Sequence, residues 1–323
     1  MSSFWSMEHF DFDDPLNRRI WSESPAIQRT IHPPAALREP GAVGAQQAML
    51  HRGAHPRITD ESVLPWVPDL VGKRWRERDS LLIVGSAYAG FIQEYSTRSR
   101  TIRLFNYASA TSVAEFQPYY LQQVVSCDTD YYGPIHSLVK ATSDGGFEDA
   151  SWVALFDLCR ASFVARGNGP DDKRGDRGGD GIVKQAPERF ARYVESGASA
   201  SWTWERFVSS RAFRIVALGT IAEHGLLRLF HDRGLQIRAV GSTASWTSKP
   251  GTTGRWVLQY ADPKRQLGSW IAKDAQTWWT IYGDVDGEER VWYLLPIYHP
   301  ARYQKPDPHY AGARAVLRRM VEQ

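Results

Sequence analysis

The residues best equipped for chemistry lie in two short stretches, "GSAYAG" at 85–90 and "YHPARY" at 298–303. In the second, His299 precedes Pro300, which fixes its own φ and keeps the residue before it extended. A histidine held this way is a rigid hydrogen-bond donor, suited to meet a developing negative charge without reorganisation. A turn histidine in a proline-rich loop has the same local sequence, so the motif needs a partner before it implies a function. "GSAYAG" brackets a turn with Gly85 and Gly90, which either cradles an anion or only redirects the chain. It has neither the Gly-Lys-Ser/Thr ending of a P-loop nor the G-x-G-x-x-G spacing of a dinucleotide site. Arg98, Arg100 and Arg103 in "STRSRTIR" make a basic cluster that serves phosphate contact or simply a solvated face.

These groups need elements to place them. Leu81–Val84 are four consecutive apolar residues ending in glycine, the pattern of a fully buried strand entering a turn. "SWVALFDLCRASFVARG" (151–167) is a second apolar segment that reads as strand-like towards its end and runs into the Gly/Asp/Arg loop "NGPDDKRGDRGGDG". "APERFARYVESGASASWTWERFVSS" has apolar residues three to four apart and reads as helix. "FRIVALGTIAEHGLLRLFHDRG" reads as strand, glycine turn and helix, closed by Gly234. "VWYLLPIYHPARY" is another buried strand with a polar end, and "HYAGARAVLRRMVEQ" an amphipathic helix with a basic face. Strands alternating with helices predict a three-layer α/β/α fold with a mostly parallel central sheet. Sites in such sheets collect at the carboxyl ends of the strands. "GSAYAG", "RASF", "GTIAEHG" and "HPAR" all follow strands, so the pattern brings them to one cleft.

Residues 1–75, rich in Pro, Arg and His, read as an arm packed on the main body. Residues 76–323 read as one α/β domain with aromatic-rich insertions at about 166–185 and 241–288. The chain of 323 residues is 42% hydrophobic and 23% charged, which is ordinary for a globular protein. A net charge of +3 makes it no bulk polycation, so a nucleic-acid contact must come from local basic patches. Its two cysteines, Cys127 and Cys159, exclude a disulfide framework, a four-cysteine iron–sulfur cluster and a zinc knuckle. There is no signal-peptide pattern and no run of 18 apolar residues, so the expectation is a cytoplasmic protein without membrane contact; its oligomeric state is not readable from the sequence, with a monomer favoured.

In order and spacing, "GSAYAG", "RIVALGTIAEHGLL", "LLPIYHPARY" and "HYAGARAVLRRM" resemble the uracil-DNA glycosylase superfamily, over residue 75 to the end. The resemblance implies a monofunctional DNA glycosylase that needs no metal or cofactor and has DNA as its partner. It places Gly85, Ser86, Ala87, Tyr88 and Ala89 in the loop that positions water and shapes the base pocket, and Phe105 where it stacks on the base. Ser162 falls where relatives read the base edge, and His299 where the leaving base is held. Arg98, Arg100, Arg103 and Arg302 would contact phosphates.

Two departures from the family pattern matter. The first motif usually carries Asp, Glu or Asn at its second or third position, to orient or deprotonate the water. Here those positions are Ser86 and Ala87. The polar group must then come from elsewhere, with Glu94 and Asn106 put first and Asp157 third. Strict uracil enzymes also use an aromatic residue at the fifth position to exclude a 5-methyl group, where this chain has Ala89, with Tyr88 one place earlier. An open wall there implies a pyrimidine with a bulky 5-substituent. Relatives of this divergent kind include an anti-phage enzyme that removes glucosylated hydroxymethylcytosine from viral DNA. A uracil or mismatch repair glycosylase, or a catalytically silent DNA-binding relative, remains open at this level.

Overall fold

The computed structural model describes residues 3–31, 68–87, 94–96, 101–103, 112–121, 129–139, 149–160, 197–240, 278–297, 300 and 308–320. These form an α/β protein built on a seven-stranded mixed sheet. The strands are β1 (Leu70–Val71), β2 (Leu81–Ala87), β5 (Val153–Cys159), β6 (Arg214–Leu218), β7 (Gln236–Val240), β8 (Trp278–Val285) and β9 (Glu288–Ile297). Across the sheet their order is β1-β5-β2-β6-β9-β8-β7. The inner pairings β5–β2, β2–β6 and β6–β9 are parallel, whereas β1, β8 and β7 join antiparallel. A separate two-stranded sheet pairs β3 (Glu94–Ser96) with β4 (Thr101–Arg103).

The four parallel strands are the apolar runs of the sequence, and they are apolar because both faces are covered. Alternate residues divide between two cores. Leu81, Ile83, Val153, Leu155, Val216, Leu218, Leu295 and Ile297 pack in one. That core also takes residues of helices α2 (Val113–Tyr120), α3 (Thr129–Val139) and α6 (Pro308–Arg319). Leu82, Val84, Ala154, Phe156, Ile215, Ala217 and Leu294 pack in the other, with residues of helices α4 (Gly197–Ser209) and α5 (Thr220–Asp232). The expected strand–glycine–helix unit is present, with α5 closing at Gly234 in a left-handed conformation, φ 78°.

The start of the chain packs on this body. Helix α1 (Pro15–Ile31) opens with proline in its first turn, where no N–H is needed, and the Asp14 carboxylate accepts from the Asn17 N–H at 2.9 Å. Ser112 caps α2 by accepting from Glu115 N–H at 3.3 Å, the S-x-x-E pattern of a capping box. Phe10 bridges to Gly72 beside β1. Gly72 itself has no room for a side chain, since a Cβ there would lie 2.2 Å from the Ser151 carbonyl oxygen.

The last part of the 241–288 stretch is not set apart from the sheet: β8 lies between β7 and β9 and extends it. Asp286 and Gly287, at φ 55° and 84°, join β8 to β9 in the two-residue turn that Asp-Gly favours. Most of "IHPPAALREPGAVGAQQAML", the 166–185 loop and residues 186–196 of the expected long helix lie outside the described residues, and its described part begins at Gly197.

Candidate active-site crevice at the carboxyl ends of the parallel strands

From β2 the chain crosses to β5 on one side, then from β5 to β6 on the other, and on to β9. The connections therefore diverge at β2 and β6, and in an open α/β sheet the crevice for a ligand opens outside the carboxyl ends at such a point. Because the four strands are parallel, the segments following Ala87, Cys159, Leu218 and Ile297 all leave from that same edge. The Gly219 N–H donates to the Ile297 carbonyl at 2.8 Å, fixing the end of β6 to the residue two before His299.

Gly85 is buried in β2 and directly opposite Asp157 in the parallel register of β5. The Asp157 side chain therefore projects on the same face as Gly85, which has no side chain to cover it. Only 7% of Asp157 is exposed. Burial pushes its carboxyl up to about 8, with Arg160 opposing and Asp69 reinforcing that rise. At neutral pH it is predominantly the uncharged acid. It makes no hydrogen bond to another described residue.

Arg160, just past β5, belongs to a buried ionic network. Its Nε and Nη2 donate to the two Asp69 oxygens at 2.7 and 3.0 Å, and its Nη1 to Thr203 Oγ1 at 2.8 Å. Arg206 Nε donates to the same Asp69 carboxylate at 2.8 Å, and its Nη2 reaches Asn17 Oδ1 at 2.7 Å and Asp14 Oδ1 at 2.8 Å. Burial on its own would raise the Asp14 carboxyl, but Arg206 and the Asn17 N–H hold it below the ordinary value. The Asp69 carbonyl accepts from Asn17 Nδ2 at 2.8 Å and Gln117 Nε2 at 2.6 Å. Five parts of the fold thus meet at Asp69: α1, the β1 lead-in, α2, the end of β5 and α4.

A second buried acid lies in the first turn of α5, within "GTIAEHG". Glu223 is 1% exposed, accepts from Trp279 Nε1–H at 2.7 Å, and is pushed well above the ordinary carboxyl range by desolvation, only partly offset by that bond. It ties the helix that begins at the crevice to β8.

Of the residues expected at the site, Gly85, Ser86 and Ala87 form the end of β2. Glu94 and Arg103 lie on the small hairpin, directly opposite each other in its register and off the main sheet. Tyr88, Ala89, Arg98, Arg100, Phe105, Asn106, Ser162, His299 and Arg302 lie outside the described residues, although Pro300 is described and buried. Asp157 is the one of the three proposed acid–base groups whose side chain is described at the crevice. Neither the Asp69 network, which joins Asn17 to Arg206 across 189 residues, nor a role for Glu223 was legible in the sequence.

Among the described residues there is no group of three or more His, Cys, Asp or Glu side chains that would hold a metal ion. Nor is any helix among them long and apolar enough to cross a membrane. No protein-family model matches the chain, and no curated protein sequence matches it.

Proposed function

We propose that this chain is a DNA glycosylase of the uracil-DNA glycosylase type, on a three-layer α/β/α core. Its substrate is a flipped-out pyrimidine with a bulky 5-substituent, and the favoured base is glucosylated hydroxymethylcytosine in phage DNA. The observation that carries the reading is that four adjacent parallel strands end along one carboxyl edge, at Ala87, Cys159, Leu218 and Ile297, and in the sequence these are the ends at which "GSAYAG", "RASF", "GTIAEHG" and "HPAR" stand.

In this reading Arg98, Arg100, Arg103 and Arg302 hold phosphates, which supplies affinity without choosing a sequence. The target nucleotide leaves the stack and enters the crevice. Phe105 stacks on the base, Tyr88 and Ala89 line its C5 side, and Ser162 contacts its edge. The C1′–N1 bond breaks with its electron pair going to the base, and His299 donates to the pyrimidine O2 as negative charge grows there. A water oxygen bonds to C1′, the proton it loses balances the departing base anion, and an abasic site remains. Glu94 and Asn106 are the groups assigned to that water.

The test is a panel of DNAs carrying glucosylated hydroxymethylcytosine, hydroxymethylcytosine, uracil or a thymine mismatch, followed by alkaline cleavage at abasic sites. Strand breaks confined to the 5-substituted cytosines are expected, with loss of cleavage in His299→Ala. No abasic product from any of them at high enzyme would remove the glycosylase assignment. The lack of an acid at Ser86 and Ala87 favours one other reading, a DNA-binding relative without catalysis. That reading predicts salt-sensitive binding unaffected by His299→Ala.

A further inference from the structure

The sheet face that carries Leu295 and Val216 is covered unevenly. Near the carboxyl edge Val240 pairs with Trp278, and Leu295 with Val216, in the core shared with Ala313, Val316 and Leu317 of α6. Two residues back along β9 the face changes character. Arg238 of β7, Thr280 of β8, Tyr293 of β9 and Arg214 of β6 are successive partners across four strands, so their side chains share this face. Arg238 is exposed, and Thr280 and Tyr293 are half-buried. One step further out Tyr282 pairs with Val291, and they are 38% and 39% exposed.

Tyr293 meets Phe213 edge to face with ring centroids 5.9 Å apart, and the exposed Arg78 guanidinium lies 5.8 Å from the centre of the Phe213 ring. Arg214 is buried and donates to the Asp79 carbonyl oxygen, so it anchors the row and does not face a ligand. Arg238 and Arg78 thus flank a run of aromatic rings, Tyr282, Tyr293 and Phe213. The acidic pair Asp284 and Glu289, the next partners on this face beyond Tyr282 and Val291, bounds the run on its outer side. Tyr293 precedes Ile297 by four residues, which puts the run about 13 Å along the strands from the crevice edge.

One exposed tyrosine is ordinary on a protein surface. Rings set between two cations on an open sheet face suit an unpaired polynucleotide, whose bases stack on the rings while its phosphates meet the guanidinium groups. A duplex keeps its bases stacked on one another, and an acidic peptide satisfies the arginines but brings no row of flat faces. We propose that this face binds single-stranded DNA, as a second contact separate from the crevice. The stacking surface stands on its own residues, and the choice of DNA over RNA rests on the glycosylase reading.

Fluorescence anisotropy of a labelled oligodeoxyadenylate of about 12 nucleotides measures this contact without offering the crevice a pyrimidine. Tyr282→Ala should weaken binding about tenfold, and Tyr282→Trp should retain it. Arg238→Gln and Arg78→Gln should each reduce the slope of log affinity against log salt by about 0.7, whereas Arg238→Lys keeps it. Unchanged affinity in Tyr282→Ala, with unchanged slopes in both glutamine variants, overturns the proposal. Tighter binding of the matching RNA, or of duplex DNA, overturns it too. If Tyr282→Ala breaks up a dimer in sedimentation velocity without altering DNA affinity, the face joins copies of this chain and the proposal fails. The base-excision panel separates the two layers of argument. Abasic product, with oligodeoxyadenylate binding unaltered in the variants, leaves the glycosylase and removes this contact. No abasic product, with binding that follows Tyr282 and the two arginines, removes the glycosylase and leaves this contact.

Discussion

Asp157 and Gly85 face each other across the parallel pairing of β5 and β2, so a buried carboxyl lies beside a residue with no side chain at the head of "GSAYAG". The consequence for stability is separate from any role in recognition. Burial raises the Asp157 carboxyl from an ordinary 3.8 to about 8, while the unfolded chain keeps the ordinary value. Below the ordinary value both states hold the proton and burial of the group carries no ionic penalty. As pH rises towards 8 the unfolded chain ionises and the folded chain does not, so stability falls by up to about 1.4 kcal/mol per pH unit. Glu223, also raised by burial, adds in the same direction. Urea unfolding at pH 5 to 8 should show stability decreasing with pH, and Asp157→Asn should flatten that slope. Parallel slopes for the two proteins would refute the account.

The Asp69 carboxylate is the one buried anion that both Arg160 and Arg206 contact through Nε. Replacing a buried pair wholesale is often harmless, but removing one partner leaves the other's charge uncompensated. Asp69→Ala strands two fully buried guanidinium groups at once, although Asp14 still contacts Arg206. A loss of about 3–5 kcal/mol in unfolding free energy is expected. Since Asp69 also helps to raise the Asp157 carboxyl, the pH slope should begin to level at a lower pH in any Asp69 variant that folds. Denaturant midpoints measured across pH read both effects.

Glu223 permits a paired comparison on one bond. Glu223→Gln keeps an oxygen for the Trp279 indole N–H and removes a group that resists ionising, so stability at pH 8 should be unchanged or higher. Glu223→Ala leaves that N–H buried without its acceptor and opens space in the α5 contact, costing at least about 1–3 kcal/mol. Thermal melts of the two variants should therefore move in opposite directions, or the alanine variant alone should fall. Equal destabilisation by both would mean that shape, not the hydrogen bond, holds the contact.

The parallel strands were legible because each is a run of apolar residues broken by glycine or a polar end, and burial on both faces demands that pattern. Their order across the sheet was not written in any one strand. It emerges from which helices cover which face, and it is what turns four strand ends into one edge. β8 was hidden by its composition: "WWTIYGDV" falls within the stretch taken as an aromatic-rich insertion, but its tryptophans fill both cores, Trp278 one and Trp279 the other. Asp157 was picked out only as the third of three candidate polar groups, after Glu94 and Asn106. Nothing local distinguished it from Glu94, and what does so is its register beside Gly85 and its burial. The partners of Asp69 escaped notice because a buried arginine looks like a surface arginine until its carboxylate is located.

Gly219 joins the two strands that bring the crevice segments together, and its backbone explains why the residue is glycine. Its φ of 93° and ψ of 164° lie in a region open essentially to glycine alone, and its N–H holds the Ile297 carbonyl. Any side chain there carries strain of about 1–3 kcal/mol. Relaxing it would rotate the peptide that fixes the end of β9, two residues before His299. Gly219→Ala should thus lower stability by about that amount and, on the glycosylase function proposed above, reduce base excision further than the unfolded fraction accounts for. Gly133 in α3 provides the contrast, because a Cβ there meets nothing within 4 Å and the residue is helical. Gly133→Ala should stabilise by up to about 1 kcal/mol and leave excision unchanged. Melting curves and excision rates on the same preparations test the pair. If Gly219→Ala folds as stably as wild type and cleaves at the same rate, the link between the β6 turn and the His-Pro segment is not the constraint its geometry implies.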